Sequence, residues 1–556
     1  MSEPVRAPQR RPAERAFRAA MVLCAAALFL TGLGRLDLWA PDEPRYAAVA
    51  EEMRSMRHGP GGLVLLRLND ETYTQKPPLY YWLAALAGAP GDRVTEFAAR
   101  LPSAMAGIAV LWLTMRLGLR LFGTEAALLA GAVLLTTPYF AHLARRAQID
   151  ILLALFELVA LALFWSITSR ADLQEKDRRR RVALMHAAMG LAILTKGPVG
   201  FLIPSLVIVA TLAWERRTPE LRKLFPAWAF LLSLGPGLAW ITAALLLAPP
   251  GFFGEAVVEN LLSRFFEGSS HPRPFYYFAY ELPLIFLPWT LLAPLIWRTA
   301  RRDVFAQAGH QAARPAWRFL LSWVGVTVLF FSISSGKREL YMIPAFPALA
   351  LLSGDTLDRA LSIAPRPPRW LSGYAALLAV LATVGAVVFL ALEPVEGVAF
   401  PPGIGLALLV IVAISATLWV SVRRSGRTPR WSLGVLIAGA YLALLFSFTV
   451  IFPAVNEHKS VRSPALRAAE MAGEGEPIGL LRSDPMVGGL AYYSGQRIVA
   501  LKTVDDIRKF FASGGKVVVL KSDKLAELTA ASGLNFEVRA KMPYETRSIL
   551  IVAPAR

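Results

Sequence analysis

Leu38-Trp39-Ala40-Pro41-Asp42-Glu43-Pro44-Arg45-Tyr46 follows the first long apolar stretch of this chain, and it sets the pattern for the rest. Two adjacent acids stand just past a hydrophobic run, ahead of a proline and an aromatic residue. The placement recurs. Asp150 opens a later apolar stretch, Lys196 closes another, and Lys337-Arg338 follow a third. A chain that sets ionisable groups at the mouths of its apolar runs reads as a polytopic α-helical membrane protein with a polar site on one face.

Composition agrees. Of 556 residues, 55% are hydrophobic, too many for one soluble core of that length. A formal charge of +19 could suit nucleic acid, but the basic residues lie in short connectors between apolar runs. The partner they imply is a phosphate-rich membrane surface, not nucleic acid. The single cysteine, Cys24, excludes an internal disulfide and any cysteine-based metal site. Leu23 before it does not suit a signal-cleavage site, and Cys24 reads as a buried bystander.

Charge orients the spans. Arg6, Arg10, Arg11, Arg15 and Arg18 place the N-terminus in the cytoplasm. Hydropathy then gives about thirteen transmembrane helices, near 17–36, 98–119, 124–143, 151–168, 183–196, 199–214, 226–247, 278–298, 318–334, 340–355, 370–391, 401–421 and 432–453. From the fourth span on, every second connector is strongly basic, from Arg178–Arg181 through Arg216-Arg217 and Arg301-Arg302 to Arg423-Arg424. All of these connectors fall on the cytoplasmic side without conflict.

Residues 1–456 thus form a membrane domain with two outward loops, and 457–556 a small α/β domain on the periplasmic side. In the first loop, 37–97, Tyr46, Val49, Met53 and Met56 recur at helical spacing, and 77–90 forms a second aromatic helix. Both suit the membrane interface and are too short to span. The second loop, 248–277, mixes aromatic and charged residues. In the tail, β-rich runs at 477–481, 497–501, 516–520 and 548–552 alternate with helical stretches. No Gly-rich phosphate loop or His/Cys cluster appears there, so a supporting or docking role is expected.

A carboxylate beside a helix end can accept a proton, hold a metal ion or orient an acceptor. Helix capping would account for Asp42, since Asp suits an N-cap and Pro44 a first turn. A pair with Arg145 or Arg146 would account for Asp150. Neither explains two acids converging on one face. With oxygen and imidazole ligands alone, Mg²⁺, Mn²⁺ or Zn²⁺ at Asp42 or Asp150 is chemically allowed. The cations Lys76, Lys196, Arg264, Lys337 and Arg338, with His271, Arg273 and Tyr341, lie on the same side. Snorkelling to headgroups would serve any one of them, less easily all. Negative charge developing on a phosphate leaving group needs such cations.

The ordered set Asp42-Glu43-Pro44-Arg45-Tyr46, Lys76-Pro77-Pro78-Leu79-Tyr80, Arg100-Leu101-Pro102-Ser103, Asp150, Lys196-Gly197-Pro198 and Tyr341-Met342-Ile343-Pro344 resembles the GT-C superfamily of lipid-phosphosugar-dependent transferases. It is most similar to the bacterial aminoarabinose transferases of lipid A, relatives of the protein O-mannosyltransferases. The resemblance implies an undecaprenyl-phosphate-linked sugar donor and a periplasmic-side acceptor, lipid A or another envelope glycan, in the bacterial inner membrane. By that resemblance Asp42 and Asp150 are catalytic. Glu43, Arg45, Tyr46, Gln75, Lys76, Lys196, Arg264, His271, Lys337, Arg338 and Tyr341 then bind substrate. Two departures stand out: Gln75 replaces the family's usual acid, and Lys337-Arg338-Glu339-Leu340 replaces Lys-Leu-Pro-Thr. Both bear on the sugar and leave a neutral sugar open. A lipid-linked sugar transporter is the rival from another class, but transporters concentrate polar residues near the midplane and often carry internal repeats.

Overall fold

Proline and charge decide where the apolar runs become straight helices. The structure, a computed structural model, describes residues 11–170, 172–255, 258–259, 272–306, 311–363, 373, 420, 429–532, 535–545 and 547–555. Among these residues six helices are long and apolar enough to cross a membrane, or up to eight if each of two bent pairs is one span. The polytopic helical class is therefore as expected, while the finer number of about thirteen is not reached. The expected spans 370–391 and 401–421 lie outside the described residues, apart from 373 and 420. The expected span 124–143 breaks by 70° because Pro138 starts a new helix and holds Thr137 extended. The segment 278–298 breaks by 107° between Ile285 and Trp289, where Pro288 cannot continue a helix.

In chain order, α1 (Arg11–Leu30) leads into the first loop. That loop holds α2 (Asp42–Arg54), a hairpin of β1 (Arg67–Leu68) and β2 (Glu71–Thr72), and α3 (Leu79–Gly88). There follow α4 (Glu96–Leu121), α5 (Thr124–Leu135), α6 (Pro138–Ala144), α7 (Ile149–Thr168), α8 (Glu175–Lys196) and α9 (Val199–Trp214). Thr95 caps α4 by accepting from the Ala98 N–H at 3.2 Å. In α2 Tyr46, Val49 and Met53 are buried as their spacing predicts, whereas Met56 lies past the helix end and is exposed.

α7 is an interior helix, 61% buried over its apolar window, whereas Ala227–Leu247 is 17% buried and keeps its apolar surface outward. Helix Phe346–Ile363 packs on α5 at close range. A methyl group at Gly354 would stand 2.4 Å from the Ala126 carbonyl oxygen, so only a glycine permits the approach.

The two ends of the bundle separate by charge. At one end Arg181 donates to the Ser166 carbonyl and Arg217 to that of Thr168, Arg318 pairs with Glu215, and Arg359 with Asp303. The basic connectors therefore gather together. α7 starts at the opposite end, with Asp150.

The tail carries a five-stranded mixed sheet: β3 (Ile478–Leu481), β4 (Ile498–Leu501), β5 (Val518–Lys521), β6 (Phe536–Tyr544) and β7 (Arg547–Pro554), in the order β4-β3-β5-β7-β6. β4 and β5 flank β3 in parallel, while β7 runs antiparallel to β5 and β6. β6 was not among the expected strands. It alternates apolar and charged residues and is partly exposed, the pattern of a protected edge rather than a core strand.

This sheet unit is fastened to the first loop. Leu38 N–H donates to the Tyr493 hydroxyl at 2.7 Å, Tyr492 donates to the Val94 carbonyl at 2.6 Å, and Asn69 exchanges two 2.7 Å bonds with the Ile498 backbone. Helix Val487–Ser494 lies directly on α2: a methyl group at Gly488 would stand 2.6 Å from the Arg45 Cα. Gly488→Val should therefore push this helix off α2. Expected outcomes are faster limited proteolysis between the two units and loss of activity, with normal membrane insertion on fractionation.

Candidate functional site

Helix α2 begins at Asp42 itself, and no side-chain bond caps it, so the capping reading fails. The Asp42 carboxylate instead accepts from Arg338 at 2.9 Å, with Arg45 at 4.0 Å. Burial would raise its pKa, but Arg338, Arg45 and Lys76 outweigh burial and hold it below the ordinary value. Asp42 is thus an ionised carboxylate at neutral pH.

Asp150 lies in the first turn of α7 and is 2% exposed. Its partner is Lys196 at the end of α8, not Arg145 or Arg146. Gly197, at φ +80°, turns the chain immediately after Lys196. The Lys196 ammonium also sits over the Tyr341 ring, 4.1 Å from its centroid. Tyr341 N–H donates to the Arg338 carbonyl at 3.1 Å. One turn, 338–341, thereby carries the partner of Asp42 and the platform beneath the partner of Asp150.

The remaining predicted residues fall into three groups. Arg45 and Gln75 meet, Arg45 donating to Gln75 Oε1 at 2.9 Å. Tyr46 packs on Tyr80 and Tyr81 with centroids 5.9 and 5.6 Å away, and burial raises its pKa well above the ordinary value. Lys76 contributes to the field at Asp42. Arg264 and His271 lie outside the described residues.

Two of the expected residues are engaged within the protein. The Lys337 ammonium donates to the carbonyls of Arg273, at 3.0 Å, and Ser334. It ties the loop ends together. Glu43 is likewise enclosed, its oxygens taking Arg100 Nε at 2.8 Å, Arg100 Nη2 at 3.1 Å and the N–H groups of Ala147 and Trp39 at 2.8 and 3.1 Å. Arg146 stands 3.4 Å away. Arg100 further donates to the carbonyls of Leu33, Leu36 and Asp37. Glu43 therefore bolts α2 to α4 rather than opening toward substrate.

Sequence reading gave Arg100 no role, although an arginine near a span end needs an acid on the same side. Glu157 is a second such residue. It stands seven residues along α7 from Asp150, fully buried, with neither carboxylate oxygen in a hydrogen bond. Its signal was an ionisable group inside an apolar run.

Neither Asp42 nor Asp150 belongs, among the described residues, to a group of three metal-type donors at ligand spacing; each faces a cation. Arg45, Lys76, Arg338 and Lys196 surround the two carboxylates. Four cations gathered around the two carboxylates suit an anionic ligand.

Comparison with known proteins places this arrangement. The dolichyl-phosphate-mannose-protein mannosyltransferase family matches residues 16–253. The undecaprenyl phosphate-alpha-4-amino-4-deoxy-L-arabinose arabinosyl transferase of Aeromonas salmonicida is 30% identical over 433 residues, covering 73% of this chain and 72% of that protein. The chain belongs to the aminoarabinose arabinosyl transferase family. A Pseudomonas fluorescens member is 28% identical, covering 76% of this chain and 72% of its own. Among solved structures, ArnT from Cupriavidus metallidurans bound to undecaprenyl phosphate superposes with a TM-score of 0.79, at 24% identity over 97% of this chain and 98% of that one. The archaeal oligosaccharyltransferase AglB of Archaeoglobus fulgidus gives 0.55, at 13% identity over 95% and 72%. The fold is of the GT-C type, and the protein is a glycosyltransferase of the aminoarabinose arabinosyl transferase family.

The Glu43–Arg100 pair yields a pH prediction. Burial opposes ionisation of Glu43, but Arg100 and then Arg146 push its pKa down to about 2 from 4.5. A depressed carboxylate stabilises fully above its unfolded pKa, and that stability fades as pH falls from about 4.5 toward 2. The linked term is on the order of 3 kcal/mol. Thermal unfolding in detergent across this range should show a slope that Glu43→Gln flattens. Arg100→Met strands the buried acid and should destabilise by about 3–5 kcal/mol at neutral pH.

Proposed function

We propose that this protein transfers 4-amino-4-deoxy-L-arabinose from an undecaprenyl-phosphate carrier to lipid A at the periplasmic face of the inner membrane. The observation that carries the reading is the turn 338–341, which joins the Asp42–Arg338 and Asp150–Lys196 pairs into one cationic, carboxylate-bearing site. Family membership supports the donor and acceptor. The N-terminus is cytoplasmic in this reading, and the sheet unit, bonded to the first loop, lies with the site on the periplasmic side.

As the glycosidic bond breaks, negative charge grows on the carrier phosphate. In this reading Lys196, Lys76, Arg338 and Arg264 stabilise it. A lipid A phosphate is already ionised and needs no strong base. Asp42, itself ionised, then positions the acceptor or sugar rather than removing a proton, and positioning contributes through orientation. Asp150 holds Lys196 in register. Tyr46 and Tyr341 shape the pocket walls.

Gln75 favours a second reading. It brings a neutral amide where the family places an acid, and that amide is bonded to Arg45, so no free carboxylate awaits a sugar ammonium there. A neutral sugar, carried to lipid A or to another envelope acceptor, fits this feature.

The purified protein in lipid nanodiscs should transfer the amino sugar from its undecaprenyl-phosphate donor to lipid A. Asp42→Asn should lower turnover at least ~100-fold while still binding undecaprenyl phosphate. Wild-type turnover by that variant would remove Asp42 from the mechanism. Faster use of a neutral-pentose donor than of the amino sugar would decide for the second reading.

A further inference from the structure

The far end of α2 carries a second cluster that sugar transfer does not use. Glu52 on α2, His58 in the turn after it and Asp70 at the tip of the β1–β2 hairpin each bring one metal-type donor atom, all within 4.8 Å of one another. His58 Nε2 stands 3.4 Å from Glu52 Oε2 and 3.4 Å from Asp70 Oδ1. Glu52 Oε2 and His58 Nε2 are both sealed from solvent, and neither has a hydrogen-bond partner.

As ion pairs these contacts are loose, with no hydrogen bond formed. A protonated imidazole facing a carboxylate closes to about 2.7–2.9 Å. Donors about 2.0–2.1 Å from a tetrahedral ion are instead spaced roughly 3.3–3.4 Å apart. Two buried polar atoms that meet at that spacing without a hydrogen bond have a geometry that suits ligands.

The donors are also held before any ion arrives. Asn69 and Asp70 have φ of +59° and +65°, as a two-residue type I′ hairpin turn requires, and both residue types tolerate it. Asp70 N–H donates to Glu52 Oε1 at 3.3 Å, leaving Oε2 for the cluster. The Asn69 amide is fixed by its two bonds to Ile498. Arg57 stands 3.9 Å from Asp70 Oδ1, and Arg67 donates to the Asp70 carbonyl at 2.9 Å.

We propose that Glu52, His58 and Asp70 form a structural site for a divalent transition-metal ion, with Zn²⁺ the best match. One imidazole and two carboxylates, with a water in the fourth position, suit Zn²⁺; hard Mg²⁺ and Ca²⁺ prefer oxygen alone. Bound there, the ion clips the end of α2 to the hairpin that anchors the sheet unit. Asp42 lies at the other end of α2, ten residues or ~15 Å away, so the ion holds the helix that presents Asp42 without touching the reaction.

The test uses the full-length protein in detergent, stripped with EDTA and gel-filtered. On addition of Zn²⁺ alone, elemental analysis should find one tightly held equivalent after a second gel filtration. Thermal unfolding should shift upward with Zn²⁺ and return on chelation. Asp70→Asn and His58→Ala should each weaken Zn²⁺ binding at least ~10-fold, while Asp42→Asn keeps the equivalent. If His58→Ala does not fold, Asp70→Asn at the exposed hairpin tip and the wild-type titration still decide. A wild-type protein that retains no Zn²⁺, or variants that retain as much as wild type, would overturn the site.

Discussion

A buried ionised carboxylate is costly unless it faces a cation, and around that constraint the polar end of this bundle is organised. Asp42, Glu43 and Asp150 are each at most 6% exposed. Each finds its partner on a distant element: Arg338 beyond the helix Arg314–Ile333, Arg100 on α4, and Lys196 at the end of α8. Unpaired, any of them would be costly. The three pairs therefore pin α2, α4, α7, α8 and the turn 338–341 into one arrangement.

The pairs divide the work. Glu43 with Arg100 is closed on all sides and sets where α2 starts; Arg100 also collects three carbonyls of the chain leading out of α1. Asp42 with Arg338 is less enclosed, the Arg338 side chain being 28% exposed, and this is the pair that a phosphate could disturb. Adjacent acids thus take opposite roles, one holding the helix and one presented by it. The sheet unit adds to the same end, because helix Val487–Ser494 rests on the backbone of Arg45.

Much of this was legible in the chain. Apolar runs and basic connectors gave the helical membrane class and the sorting of its two ends, since both follow from the cost of charge in lipid. Asp42, Asp150, Lys196, Arg338 and Tyr341 were recognisable by position and are brought together. Their pairing was not legible, because a sequence shows that Lys196 lies at a span end without showing which acid it reaches. The internal contacts of Lys337 and Glu43 were hidden for the same reason: a charge can be engaged by carbonyls or by a distant arginine. The breaks at Thr137 and near Pro288 were signalled by proline, yet hydropathy averaged over them.

The most direct test is mass spectrometry of lipid A from cells with and without this protein. The account predicts an amino-pentose adduct on a lipid A phosphate that disappears when the protein is absent. Lipid A unchanged by its loss, with every other envelope glycan also intact, would contradict the assignment of this site to sugar transfer.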